Sequence, residues 1–380
     1  MTKRILISPN SFKECADAVT IAALVKHNLS RLMNTESILK PISDGGDGFL
    51  NVCQFHFGGE IRKYSISTAY NDTLFECPVL YCKDRKEVYI ESAEVLGLKV
   101  VPLAYRNPLQ LSSKGLGELL TKIHQDVHLN RIKVQRVYIG IGGTATIDMG
   151  IGMMSELGLK LFDSTNSELR VLPEYFLRTK VIKYEPINFS FEIIPVVDVT
   201  NPLIGDQSGI RIFGKQKGAT DRTLSLLDEG FGNLLNLLKD NELQFSYNKL
   251  SGAGGGIPAS LQIFYKTSLL PSSDFIKYNL GFQNFSDLDK FNYLITGEGA
   301  YDTQSGFGKG VGILLELFDS RAEQIFLICG KISEDTISTL QKNVIPIEIS
   351  KYFDNEYESI LRYKAGIEKA CHEMLKHINF

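Results

Sequence analysis

A chain of 380 residues with 43% hydrophobic content is long enough for two or three domains, each with its own core. Lys and Arg total 41 against 44 Asp and Glu, a formal net charge of -3, which supplies no basic face for nucleic acid and no polybasic membrane anchor. The expected ligand is small, no stretch is apolar for long enough to span a bilayer, and six scattered cysteines without C-x-x-C spacing argue against a zinc site and a disulfide framework.

KRILISP opens as a short buried strand, and the run stops at Pro9 and Asn10 too soon for a secretory signal, so a reducing cytoplasm is expected. Ser11 and Glu14 have capping-box spacing, which predicts a helix start. Lys13 would then stand on the first helical turn, where free N–H groups and the dipole favour an anion; the alternative is an exposed lysine behind a cap. Ala18, Ala22, Val25, Leu29 and Leu32 recur at helical spacing and predict one buried face. In PISDGGDG, Asp44 and Asp47 flank two glycines. Two carboxylates there suit Mg²⁺ or a hydroxyl awaiting deprotonation, or else an Asx turn.

Ile61 to Ser67 and Lys86 to Glu91 alternate as strands do. Arg136 to Gly143 is a β-rich run ending in glycines, with a helix predicted from about Asp148 to Leu157 and a strand in LKLF. Gly140, Gly142 and Ala145 satisfy G-x-G-x-x-A, with Asp163 following, which admits a dinucleotide-binding reading; its place deep in the chain counts against that. EIIPVVDV delivers Asp198 at a strand end before a turn fixed by Asn201 and Pro202. In FGKQKGA, Lys215 and Lys217 flank Gln216 and either clamp a phosphate or carboxylate or form a solvated turn. SGAGGGIP, Ser251 to Pro258, needs either a phosphate or a close backbone partner. His124 and His128, four apart, read as a surface pair.

LITGEGAYDTQSGFGK, Leu294 to Lys309, is an apolar run that breaks into glycines carrying Glu298, Asp302 and Lys309. Glycines admit an anion to the backbone, carboxylates hold a divalent cation and a lysine neutralises phosphate. It is not a Walker A loop, because Thr303 stands where its first glycine belongs and Gly310 where Ser or Thr should follow the lysine. Strands are predicted in QIFLICG and VIPIEI, and a final helix carries Ile360, Tyr363, Ile367, Ala370 and Met374. This alternation favours an α/β fold whose strand ends deliver the ligand-binding turns. No linker-like segment interrupts it, which fits one domain inserted in another.

Taken in order, the loops resemble the type I glycerate kinase family: SFK, DGGDG, ESAEVLGL, NPLQLSSKGLGELL, GIGGTATIDMGIGM, DVTNPLIG, FGKQKGA, GAGGG, and TGEG followed by Asp302 and Gln304. Two departures are Ala300, where the family usually has a basic residue after GEG, and GKGVGILLELF, which replaces a longer stretch with Pro and GVA. The resemblance implies two unlike α/β domains, a Rossmann-like one from both chain ends, assigned to 1–68 and 285–380, and an inserted one, 69–284. It implies a cytoplasmic kinase, with a homodimer as one option for its assembly, that uses ATP and Mg²⁺ to phosphorylate D-glycerate to 2-phosphoglycerate or 3-phosphoglycerate in a cleft between domains. Lys13, Asp44 and Asp198 are the expected catalytic residues, with Asp198 or Asp44 as base. Ser11, Asp47, Gly142, Gly143, Asn201, Lys215, Lys217, Gly297 and Lys309 are expected to bind substrate or nucleotide, and Glu298 with Asp302 to hold the metal. The competing readings are an NAD-dependent oxidoreductase using the Gly140 loop and a non-catalytic small-acid binding protein derived from a kinase.

Overall fold

The structure, a computed structural model, describes residues 2–71, 73–241, 243, 245–246, 249–286, 288–303 and 310–378. The chain begins with strand β1 (Lys3–Ile7), helix α1 (Ala18–Leu32), strand β2 (Thr35–Leu39) and helix α2 (Phe49–Phe57). It continues through β3 (Glu60–Ser67), β4 (Leu74–Cys82), β5 (Glu87–Glu91), α3 (Lys114–His128), β6 (Arg136–Ile141), α4 (Ile151–Glu156), β7 (Glu192–Val197), α5 (Asp221–Asp240) and α6 (Ile257–Tyr265). It ends with β8 (Phe291–Thr296), α7 (Gly310–Phe318), β9 (Ala322–Cys329), β10 (Val344–Glu348), α8 (Glu356–Leu361) and α9 (Tyr363–Met374). The protein is α/β throughout, with parallel and mixed sheets.

Two compact units result: residues 1–57 with 271–380, and residues 58–270. The joints therefore fall earlier than the 68/69 and 284/285 boundaries expected from sequence. The reason at the first joint is β3, whose eight residues pair antiparallel with β4 along their whole length and so belong to the middle unit's sheet.

In the outer unit the sheet order is β10-β9-β8-β1-β2, every neighbouring pair parallel. Ile5, Ile7, Tyr293, Ile295, Phe326, Ile328 and Ile347 alternate along their strands and form one core face. Ile21, Ala22, Val25 and Leu29 of α1 and Ile367, Ala370, Cys371 and Met374 of α9 pack on it. The expected helical face of α1 is thus present, but its start is not where the Ser11 and Glu14 spacing puts it. Asp17 caps the helix, its carboxylate accepting the Thr20 N–H at 2.9 Å and the Thr20 hydroxyl at 3.0 Å. Residues 12–16 instead close a tight turn through a Phe12–Ala16 bridge, with Glu14 at φ 66. The predicted final helix is two, α8 and α9, separated at Arg362.

In the middle unit β7, β6 and β5 are parallel, and β4 and β3 continue the sheet antiparallel. Its core runs from Ile66 to Ile263 and includes Leu116, Leu119, Leu120 and Ile123 of α3 and Phe231, Leu234, Leu235 and Leu238 of α5. The helix predicted from Asp148 starts only at Ile151, because Met149 and Gly150 take left-handed backbone angles.

Candidate active site

In the outer unit the chain leaves β1 for β2 on one side and leaves β8 for β9 on the other. Adjacent strands whose connections diverge in this way open a crevice beyond their carboxyl ends, the usual ligand position in parallel α/β sheets. The loops that emerge there are Ser8–Lys13 after β1, Ser43–Asp47 after β2 and Gly297–Asp302 after β8.

Asn10, only 3% exposed, joins all three. Its backbone N–H donates to the Gly297 carbonyl at 2.8 Å, and its side-chain Nδ2 donates to Asp44 Oδ2 at 3.2 Å. Its Oδ1 receives the Ser11 N–H at 2.8 Å. Asp44 Oδ1 takes the Gly46 N–H at 3.0 Å, so the Asx turn and the loop-joining contact are made by one carboxylate. Asp47 stands partly buried in the same loop. Thr296 Oγ1 donates to the Ser8 carbonyl at 2.8 Å, which ties the two strand ends together from below.

The GEG segment is shaped by close approach. A Cβ on Gly297 would lie 1.6 Å from the Ile328 carbonyl oxygen, and one on Gly299 would lie 3.1 Å from the Lys13 backbone nitrogen. Gly297 is buried and acts as a spacer. Gly299 lets the Lys13 turn rest on the loop that carries Glu298, while the Lys13 side chain is exposed. Lys13 is therefore in a turn four residues ahead of the Asp17 cap, not on a helix, and gains nothing from the α1 dipole. Burial, then the neighbouring Cys329, Glu298 and Asp302, push the Tyr301 hydroxyl up to about 12. Both carboxylates thus act on one point of this loop, Glu298 partly buried and Asp302 exposed. Lys309 lies outside the described residues.

The middle unit presents a second carboxyl edge. Glu91 and Val196 both register with Gly140, which sets the ends of β5, β6 and β7 side by side, and Asp198 follows one residue beyond the Val197–Ile141 pair. Gly142 is held by Ser92, its N–H donating to Ser92 Oγ at 3.1 Å, and Gly143 is exposed at φ 64. Buried Glu91 pairs with Lys99 Nζ at 3.1 Å.

The two lysines of FGKQKGA are directed apart. They belong to a single three-residue helical turn, and residues two apart on such a turn project in different directions. Lys215 points outward to Asp221 at 3.0 Å, both well exposed. Lys217 is 5% exposed and donates to Thr144 Oγ1 at 3.0 Å and to the Thr146 carbonyl at 3.1 Å. Burial draws its ammonium down to about 7 against the opposing pull of Asp148. The Asn201 side chain donates to the Gln207 carbonyl within its own loop, while its backbone carbonyl accepts the Gly252 N–H and so ties that loop to the SGAGGGIP segment. The glycine-rich SGAGGGIP segment takes the backbone-contact alternative, since a Cβ on Gly255 would lie 2.0 Å from the Thr146 carbonyl oxygen.

Asn10 and Asp148 are buried loop-organising positions that the sequence patterns do not single out. Asp148 is completely buried and takes four donors: Ser113 N–H and hydroxyl at 2.7 Å each, Gly150 N–H at 3.0 Å and Gly152 N–H at 3.2 Å. Its only sequence signal is an acidic residue within an otherwise apolar glycine loop. Asp163 closes a surface turn with Thr165 and Ser167 on a separate antiparallel sheet, and α4 starts nine residues after Gly142. Neither feature matches a dinucleotide fold, in which the glycines open the helix directly. Among the described residues there is no group of three His, Cys, Asp or Glu able to hold a metal ion, and His124 packs edge-on against Phe189.

Comparison with known proteins gives a consistent result. A model of the glycerate kinase family matches residues 5–379. A glycerate kinase from Halalkalibacterium halodurans is 33% identical over 313 residues, covering 80% of this chain and 79% of that protein. One from Neisseria meningitidis is 29% identical and covers 90% and 89% respectively. A glycerate 2-kinase from Escherichia coli is 28% identical over 96% of this chain and 97% of its own. Among solved structures, a candidate glycerate kinase 2 from Salmonella typhimurium has the same fold, with a TM-score of 0.73, 24% identity and 99% of both chains covered.

Proposed function

The chain belongs to the glycerate kinase family, a family of phosphotransferases, and on that footing we propose that it transfers the γ-phosphoryl group of ATP to a hydroxyl of D-glycerate, as a member of the type I branch. The observation that carries this reading is chemical: both units set glycine loops and carboxylates at the carboxyl edge of parallel strands. A kinase needs charge neutralisation and positioning more than covalent chemistry, and such edges supply both.

In the reaction a bond forms from the glycerate oxygen to the γ-phosphorus, the bond to the β–γ bridging oxygen breaks, and ADP leaves. The hydroxyl proton goes to a carboxylate, for which Asp44 and Asp198 are the candidates. The Asn10 amide orients Asp44 by holding one of its oxygens. Mg²⁺ characteristically takes one or two protein carboxylates together with substrate phosphates. Glu298 and Asp302, on one loop after β8, fit that demand. When bound, the ion would neutralise phosphate charge. Lys13, exposed beside the GEG loop, would pair with a phosphate or with the glycerate carboxylate. The name of the Escherichia coli relative favours 2-phosphoglycerate as product over 3-phosphoglycerate. A cytoplasmic setting and a homodimer complete the proposal; six free cysteines and the lack of a membrane-spanning helix among the described residues accord with the first.

The test is a coupled ADP-release assay over a panel of small hydroxy acids, with and without Mg²⁺, followed by product analysis. Turnover confined to D-glycerate or a close analogue is expected. Calorimetry that found tight NAD(H) binding and no ATP binding would sink the reading in favour of an oxidoreductase. ATP-independent acid binding without turnover would favour the sensor alternative.

A further inference from the structure

Lys217 is chemically out of place for a residue that grips a ligand. Its side chain is buried, and its ammonium already donates to Thr144 Oγ1 and to the Thr146 carbonyl. The turn that bears it is itself fixed, since the Gly214 N–H donates to the Ile210 carbonyl and the Lys217 N–H to the Gly214 carbonyl. Both acceptors of the ammonium lie on the loop that follows β6.

That loop is fastened on one flank by the segment after β5. The Leu98 N–H donates to the Gly143 carbonyl at 3.1 Å, the Ala145 N–H to the Leu96 carbonyl at 2.7 Å, and the Gly142 N–H to Ser92 Oγ at 3.1 Å. The contacts from Lys217 fasten it from a second direction, through residues 73 and 71 positions away in the chain. Asp148 then anchors the loop's far end on Ser113, Gly150 and Gly152. Only Gly142 and Gly143 are left accessible between these fastenings.

We propose that Lys217 is a positioning residue: it pins Thr144 and Thr146 so that the Gly142 and Gly143 peptides stay fixed at the carboxyl edge of β6, and it does not touch substrate. This rests on the kinase reading for its kinetic consequence and on geometry alone for its structural one. A pinned peptide costs no reorganisation when an anion arrives, which is how a preorganised loop contributes to rate. The donors rather than the charge carry the effect, so an amide that keeps two N–H groups should replace the ammonium in part.

Hydrogen exchange on ligand-free protein, together with steady-state kinetics for ATP and D-glycerate, tests this with Lys217→Met and Lys217→Gln. In Lys217→Met, amides of residues 142–148 should exchange at least about tenfold faster while those of the β3–β4 hairpin keep their rates. Its kcat should fall at least about tenfold, with Lys217→Gln intermediate on both readouts. Lost activity with unchanged exchange in 142–148 would make Lys217 a direct ligand contact and overturn the proposal. Faster exchange over the whole middle unit, with the kinetics of the folded fraction intact, would make it an ordinary core residue and also overturn it. If the unsubstituted protein fails to phosphorylate glycerate, the kinase reading falls, and the exchange measurement still decides whether Lys217 pins the loop.

Discussion

The Asn10 carboxamide uses both of its ends, the nitrogen on Asp44 and the oxygen on the Ser11 N–H. Asn10→Ala leaves those partners without it and should cost about 1–3 kcal/mol in denaturant unfolding, with a fall in kcat. Asn10→Asp is a sharper probe. It places a second carboxylate against Asp44, and two like charges at hydrogen-bond distance cannot both ionise cheaply. The unfolded chain, where the two are apart, loses its protons at lower pH, so the stability deficit of Asn10→Asp should grow from pH 4.5 to pH 7. A deficit independent of pH contradicts the contact. Gly297→Ala is predicted to be the most damaging single methyl in the outer unit, because its Cβ would fall 1.6 Å from a backbone oxygen that is held in the sheet. Loss of more than about 4 kcal/mol, or no soluble protein, is expected, and a wild-type melting curve rules the geometry out. Sequence patterns pointed to Asp44, Glu298 and the glycines because acidic residues beside glycine after an apolar run are chemically conspicuous. They passed over Asn10, since an amide in a Pro-Asn turn looks the same whether it caps the turn or joins three loops. They also treated Lys215 and Lys217 as equivalent, since burial depends on which way a short helical turn faces.

Helix α1 shows how a local signal loses to a stronger one. Ser11 and Glu14 have capping spacing, but Asp17 offers a carboxylate to the Thr20 N–H, and the residues before it turn back on themselves. Asp17→Ala should therefore lower stability by about 1 kcal/mol, whereas Ser11→Ala should leave the unfolding midpoint nearly unchanged. The apolar face of α1 was legible because periodicity reports burial directly, while the exact start depends on backbone choices that periodicity does not record. At the end of α2, His56 bears on stability against pH. Burial, opposed by a 2.8 Å contact to the Pro41 carbonyl and helped by Lys40, lowers the imidazole from 6.5 to about 4. The unfolded chain then binds the proton first as pH falls, so the native state loses stability between pH 6.5 and about 4. His56→Phe should flatten this part of the profile, and the stability gap between pH 7 and pH 4.5 should shrink by about 2 kcal/mol relative to the parent. An unaltered gap would place the titration elsewhere.

At the scale of the whole chain, each unit has a core of its own: among the described residues the buried members of the middle one run from Ile66 to Ile263, with Tyr64 and Leu269 packed on its margin, and the outer one is built from residues before and after it. The segment 58–270 should accordingly unfold cooperatively when expressed alone, as followed by circular dichroism against denaturant. A non-cooperative transition would show that it depends on the remainder of the chain. The resemblance carried by motif order implied an inserted arrangement, but nothing local in the sequence marks its joints. No run of Pro, Ser or Gly marks them, and β3 is assigned to a unit by its pairing with β4, a contact that hydrophobic pattern alone does not specify. The placement of β1 between β2 and β8 has a further consequence, in time rather than space. Arg4 and Asn292, joined across that strand pair, are 288 positions apart in the chain. At about 5–20 residues per second of synthesis, one edge of β1 waits on the order of tens of seconds for its partner. For that interval the first strand to emerge is an open template for any extended segment nearby. A newborn chain of this kind depends on whatever shields that edge until β8 arrives, and the middle unit has the opportunity to finish folding first.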